Sequence, residues 1–358
     1  MTAERLPLEY VLPLRRTDAG GEAELLAYLR GLVEWTDVTV VDGSEPVLFD
    51  RLHDALDGSG VRHVPPSVPG SNGKARGAVT GMRAARHELV VLADDDVRYT
   101  RGDLEAVHAR LGSADLVRVQ NRYRPLPWHA RWDTARILLN RAFGGDYGGT
   151  LGVRTSLIAG YRTDVLFENL ELERTVRAAG GRVDVALDLL VVRRPPAVRH
   201  FLGQRVRQAY DDLAQPGRLV AEASLLPVVL VLALRRPRAL LVLALGAVAV
   251  AEAGRRRAGG ARRFPATSSL WAPAWAAERS VTTWLGSDAL AGRSAVMTAD
   301  GPVITVCPNG PLLVRGAAQL VDADGNPIAR HRRTVALCRC GGSAIAPWCD
   351  GTHKLIRG

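Results

Sequence analysis

The sequence predicts an α/β protein with a mainly parallel sheet, followed by an apolar helical hairpin and a small β-rich segment that ends in a metal-ligand cluster. Three observations lead there. Residues 10 to about 215 alternate short β-rich runs with helix-patterned stretches, the rhythm of strand–helix–strand units. Residues 219–254 hold two almost uncharged runs separated by RRPR. Three of the four cysteines fall within twelve residues near the C-terminal end.

In order along the chain, YVLPL (10–14), DVTVVDG (37–43), LVVLADDD (89–96) and DLVRVQ (115–120) are predicted strands. EAELLAYLRGLVEW (22–35), PVLFDRLHDALDG (46–58) and GKARGAVTGMRAARH (73–87) carry helix-like apolar spacing. In open α/β sheets ligands bind at the carboxyl ends of the strands, so the acidic residues ending two of these strands are the first candidates for chemistry. LVAEASLLPVVLVLAL (219–234) and ALLVLALGAVAVAEAG (239–254) are apolar runs of about 16 residues, short of the roughly 20 that span a bilayer. The Trp-rich stretch 264–286 suits a membrane interface. PVITVCPNGPLLVRGAAQLVDADGNP (302–327) reads as short strands joined by Pro-Asn-Gly and Asp-Gly turns. The expected divisions are 1–215, 216–293 and 294–358.

The chain has 358 residues, 47% hydrophobic and 23% charged, which excludes disorder, a collagen-like fibre and a polytopic transporter. Its net charge of +10 suits an anionic membrane surface or a phosphate-bearing substrate. Nucleic acid is not an expected partner, because the arginines gather around the apolar runs and no recognition motif is present. The N-terminus has no apolar signal core, and four cysteines do not make a disulfide scaffold. A reduced, cytosolic setting is expected.

CRCGGSAIAPWCDGTH (338–353) contains Cys338, Cys340, Cys349 and His353. Thiolates with one imidazole select iron–sulfur or zinc. The C-x-C pair is closer than the C-x₂₋₄-C of an ordinary zinc knuckle. Cys349 and His353, four apart as on a first helical turn, would face one side, with Asp350 near the helix start. The segment closely resembles the CDGSH iron–sulfur domain, the mitoNEET-like family, over roughly 296–358. Cys338, Cys340, Ser343, Pro347, Cys349, Asp350, Gly351, Thr352 and His353 meet its pattern. The resemblance implies a [2Fe–2S] cluster on Cys338, Cys340, Cys349 and His353, working as a redox sensor or with a redox partner. The fourth cysteine, Cys307, is read as a small buried residue.

Asp94-Asp95-Asp96 ends the apolar strand LVVLA, and two carboxylates two residues apart at a strand end can share a hard divalent cation. SNGKARGAVTGMRAARHELVVLADDDV (71–97) resembles the G-K-x-x-[AG] helix and D-x-D strand of family 2 glycosyltransferases. YVLPLRR (10–16) resembles their opening strand, VTVVDGSEP (38–46) the strand that contacts the nucleotide base, and LFENLELERTVRAAGGRV (166–183) the E-D-x-E-L helix. QRVRQ (204–208) partly matches the Q-x-x-R-W motif of membrane-associated members.

This resemblance, over about 8–215, implies a GT-A-like, Rossmann-type nucleotide-binding domain. Asp94 and Asp96 would hold Mn²⁺ or Mg²⁺. Pro13, Asp42, Lys74 and Asp95 would bind the nucleotide-sugar, and Gln204 and Arg207 would cover the diphosphate or the acceptor. Two departures matter. The family's basic Asp is replaced in Glu168-Asn169, and an amide accepts no proton. Either Glu168 takes over, or Asp164 or Glu171, or the acceptor is an anionic polyprenyl phosphate that needs no base. Gln208 stands where the family has Trp. The expectation is an inverting hexosyltransferase on the cytoplasmic face of the membrane, with a nucleotide-sugar donor and a lipid-linked acceptor. The alternative is a non-catalytic glycosyltransferase-like scaffold carrying the iron–sulfur domain.

Overall fold

The structure, a computed structural model, describes residues 4–18, 20–211, 214–297, 303–307, 310–315, 320–322, 326–328 and 334–353. Two compact units make up the chain, Met1–Gly286 and Ser287–Gly358. The expected boundary at 215 falls inside the first unit, and that at 293 shortly after the second begins.

The first unit opens with strand β1 (Glu9–Leu14), helix α1 (Glu22–Val33), β2 (Asp37–Asp42), α2 (Pro46–Leu56), β3 (Arg62–Val64), α3 (Gly73–Ala84) and β4 (Leu89–Ala93). β5 (Val97–Arg98), α4 (Arg101–Leu111), β6 (Leu116–Tyr123), α5 (Trp128–Phe143), β7 (Thr150–Arg154), α6 (Glu168–Ala178), β8 (Val183–Arg193) and α7 (Val198–Asp211) follow. The eight strands form one sheet in the order β3-β2-β1-β4-β7-β6-β8-β5. β1 to β4 pair in parallel, as do β6 and β8. The sheet is mixed, because β7 runs antiparallel between β4 and β6, and β5 lies antiparallel on β8.

The apolar strands are buried on both faces, as a sheet covered by helices requires. Leu25, Leu29 and Leu32 of α1 cover one face and Ala78 and Met82 of α3 the other. The glycines of the 73–87 stretch have a steric reason. A Cβ at Gly77 would lie 2.8 Å from Cβ of Pro13, and one at Gly81 would overlap Val11. The helix therefore sits close on β1 and brings its N-terminus to the carboxyl end of the sheet. Asn72 caps that end by accepting from the amide of Ala75 at 3.1 Å.

Helices α8 (Pro216–Arg235) and α9 (Pro237–Arg256) form the expected hairpin, each 20 residues long. They outrun the apolar stretches because polar residues at their feet are built into the protein. Glu222 is buried with Arg218 at 2.9 Å, and Gly254 lies so close to α5 that a Cβ would overlap the Leu138 carbonyl. Two 3₁₀ segments, Arg257–Arg262 and Ala266–Trp271, lead into α10 (Ala272–Met297). The Trp-rich stretch is in part core: Trp275 is 6% exposed and packs with Ile137 and Phe264, whereas Trp284 is half exposed.

In the second unit β9 (Val303–Val306), β10 (Leu312–Arg315) and β11 (Thr334–Leu337) form an antiparallel sheet in the order β11-β10-β9. Cys307 and Gly310 close the turn between β9 and β10.

Candidate functional site

The first site lies where the parallel strands end. Pro13 comes from the end of β1, Lys74 from the first turn of α3, Asp94 from just past β4, and Glu168 and Asn169 from the start of α6. With Gly149 and Tyr161 they line one cleft. The Lys74 ammonium bridges two carboxylates, Asp94 Oδ1 at 2.6 Å and Glu168 Oε1 at 2.8 Å. On the other side Arg193, the last residue of β8, reaches Asp96 Oδ2 at 2.8 Å and Asp94 Oδ2 at 3.4 Å. The backbone fixes both acids, since Asp94 N donates to Gly149 O and Arg194 N to Asp96 O, each at 2.7 Å. Gly149 has no alternative here. A Cβ would sit 2.5 Å from Asp94 Oδ2 and 3.2 Å from the Arg193 guanidinium carbon.

Burial penalises the Lys74 ammonium, but Asp94 and Glu168 outweigh it and hold its pKa above the usual lysine value. Burial raises the Asp96 pKa; Arg193 pulls it back and the like charge of Asp94 raises it again, leaving it above the carboxylate norm. Asp96 Oδ1 is buried with no hydrogen-bond partner. The three carboxylates Asp94, Asp96 and Glu168 face two cations, Lys74 and Arg193. A hard divalent ion fits this all-oxygen donor set, its charge deficit and the bare Asp96 oxygen.

Apart from Asn169, the other expected residues lie away from this cleft. Asp95 is exposed on the turn. The Asp42 side chain is fully buried at the end of β2, where it accepts from Ser44 N at 2.8 Å and faces His63 Nε2 at 3.3 Å. Burial opposes its charge, yet these bonds keep its pKa below the usual value. Gln204, on α7, contacts His200. The side chain of Arg207 lies outside the described residues. Asn169 Nδ2 donates to Gly148 O at 3.0 Å, so it holds the loop that borders Asp94. Of the two other base candidates, Asp164 accepts from Ser71 N at 2.6 Å, and neither it nor Glu171 lines the cleft. Arg193 and Tyr161 were missed by sequence reasoning. The only signal for Arg193 was an arginine pair closing an apolar strand.

The second site follows β11. Cys338 Sγ lies 3.5 Å from Cys340 Sγ, and Cys349 Sγ 3.3 Å from His353 Nδ1. The two pairs are tied by Cys338 N donating to Pro347 O and Cys349 N to Ala336 O. Gly341, at φ 72°, supplies the left-handed turn after the C-x-C pair. Cys349 to His353 is a turn rather than the expected helical turn. Asp350 organises it, accepting from Thr352 N at 3.0 Å and Ala344 N at 2.8 Å, bonds that depress its pKa. The Cys338 thiol is also lowered, chiefly by its contact with Cys340. Among the described residues no three of His, Cys, Asp or Glu gather about a single ion; these four residues stand as two pairs.

Residues 309–354 match the family described as iron-binding zinc finger, CDGSH type. That CDGSH segment contains all four residues of the second site. No curated protein matches the chain. Several solved structures are loosely similar. The mannosyltransferase from Pyrobaculum calidifontis, in complex with GDP-Man and Mn²⁺, is 18% identical over 84% of this chain and 82% of its own, with a TM-score of 0.43. Glucosyl-3-phosphoglycerate synthase from Mycobacterium tuberculosis, with Mn²⁺, UDP and glucosyl-3-phosphoglycerate, is 19% identical over 56% of this chain and 77% of its own, at 0.38. Mannosyl-3-phosphoglycerate synthase from Rubrobacter xylanophilus is 17% identical over 59% and 75%, at 0.40.

Proposed function

We propose that the chain is an inverting glycosyltransferase that moves a hexosyl group from a nucleotide-sugar to a lipid-linked acceptor at the cytoplasmic face of the membrane, and that its CDGSH segment carries a [2Fe–2S] cluster. The observation that carries the transferase reading is the convergence of Lys74, Asp94 and Glu168, with Asp96 held beside them by Arg193, at the carboxyl end of the parallel strands.

The cleft holds about 10 Å³, room for about one water. On donor binding Lys74, now held by Asp94 and Glu168, would exchange these carboxylates for the diphosphate. Asp94 and Asp96 would hold Mn²⁺ or Mg²⁺, which when bound supplies charge stabilisation to the leaving diphosphate. Arg193 keeps the two acids aligned for that role. Release of Lys74 frees Glu168 to take the acceptor proton, and an acceptor phosphate needs no such step. The exposed Val228, Leu230, Val231, Leu234, Leu241 and Val242 of the hairpin support a membrane-bound acceptor.

The paired ligands of the CDGSH segment suit a cluster that places two on each iron. Cys338 with Cys340, and Cys349 with His353, would hold it as two pairs whose contacting atoms already lie 3.5 and 3.3 Å apart.

A screen of nucleotide-sugars against purified protein with Mn²⁺, read as released nucleotide, tests the transferase. Asp94→Asn and Asp96→Asn should each abolish turnover with the fold intact. Full activity in both overturns the metal-holding role of Asp94 and Asp96, and no activity with any donor favours the scaffold reading.

A further inference from the structure

We propose that His53 and His63 form an exchangeable site for a borderline divalent transition metal, zinc foremost, at the sheet edge and separate from the carboxylates of the cleft. His53 lies near the end of α2 and His63 on the edge strand β3, and their Nδ1 atoms are 3.2 Å apart. Two imidazole nitrogens on one tetrahedral zinc, with bonds of 2.0–2.1 Å, stand about 3.3 Å apart.

The second observation is what lies behind His63. Its Nε2 faces the fully buried Asp42 carboxylate at 3.3 Å, and its own side chain is 1% exposed. The buried carboxylate accepts a hydrogen bond from Nε2–H, which leaves the lone pair on Nδ1, directed at His53. This carboxylate–histidine order is the one that stands behind metal-bound imidazoles. Phe49 stacks on the His63 ring with centroids 4.3 Å apart and fixes its plane. A cavity of about 120 Å³ opens beside the pair, bordered by Asp57, Gly58 and Gly60. That is space for an ion and several waters. Among the described residues no third His, Cys, Asp or Glu completes a set of three. Water fills the remaining positions, so the metal exchanges rather than staying as a structural ion. Imidazole prefers zinc, nickel or copper to Mg²⁺ and Mn²⁺, so this site and the acidic cleft select different ions.

The test uses chelator-stripped full-length protein, with histidine acylation by diethyl pyrocarbonate located by mass spectrometry. Zinc should slow modification of His53 at least about tenfold, on the scale of metal-site effects, while Mg²⁺ does not. In a full-length variant with Cys338, Cys340 and Cys349 changed to Ser, zinc titration against a chromophoric chelator should show one site per chain. His53→Gln, at an exposed position, should weaken that site by at least about the same factor. His53 reactivity unmoved by millimolar zinc, or equal zinc affinity with and without His53→Gln, reduces the pair to a hydrogen bond and overturns the proposal.

Discussion

Neutralising the hairpin tip, by changing Arg235, Arg236 and Arg238 together to Gln, should release the protein from anionic vesicles without unfolding it. The magnitude follows from where the helices are anchored. α8 is built into the protein at Glu222, which pairs with Arg218 and approaches Arg279 at 3.7 Å, and α9 at Ala251 and Gly254. Beyond Glu222, residues 223–235 rise only about 20 Å at 1.5 Å per residue, against roughly 30 Å of hydrocarbon. A hairpin standing upright would strand its tip arginines inside the bilayer at about 3 kcal/mol each. Lying along the surface, it buries Leu230, Leu234, Leu241 and Leu245 and lets the arginines reach the head groups. Each arginine near an anionic leaflet contributes about 1 kcal/mol, so losing three should weaken binding about 150-fold. Co-sedimentation with vesicles of mixed anionic and neutral lipid, against neutral vesicles as control, measures this. A cysteine at Arg236 should resist an impermeant maleimide outside intact cells and react from the cytosolic side. Labelling from outside, or undiminished binding of the triple variant, would refute the surface-lying hairpin.

Glu168→Gln should lower kcat by roughly 10²-fold with a hydroxyl acceptor if Glu168 takes the proton; a small effect, together with activity only on a phosphate acceptor, marks the base-free route. Gly254→Val forces side-chain atoms against the Leu138 carbonyl and should cost about 1–3 kcal/mol or more in thermal unfolding, the scale of overpacking; an unchanged melting temperature contradicts the close α5–α9 contact. His353→Cys exchanges a neutral ligand for an anionic one, so the cluster's reduction potential should fall, as voltammetry would show; a higher potential, or zinc in place of iron after anaerobic purification, points to a different site.

Local chemistry explains what the sequence determined alone. Strand and helix periods and the D-x-D turn depend on neighbours a few residues away, and they fall where the pattern placed them. So does the helical hairpin, and Cys338 with Cys340 and Cys349 with His353 lie in contact because residues so close in sequence need only a turn to meet. Tertiary structure alone decided the rest. Lys74 meets Glu168, and Arg193 meets Asp94 and Asp96, across nearly a hundred residues. The Arg193 contacts exist because β5 pairs antiparallel with β8, which sets Val97 opposite Arg193 and brings Asp96 beside it. Asp42, which the family resemblance offers to a nucleotide, is turned to His63 by the parallel pairing of β2 with β3. Gly149 reads as an ordinary loop residue until the guanidinium of Arg193 arrives beside it. Sheet order and register are collective properties of the packed core, and no local period encodes which distant charges they bring together.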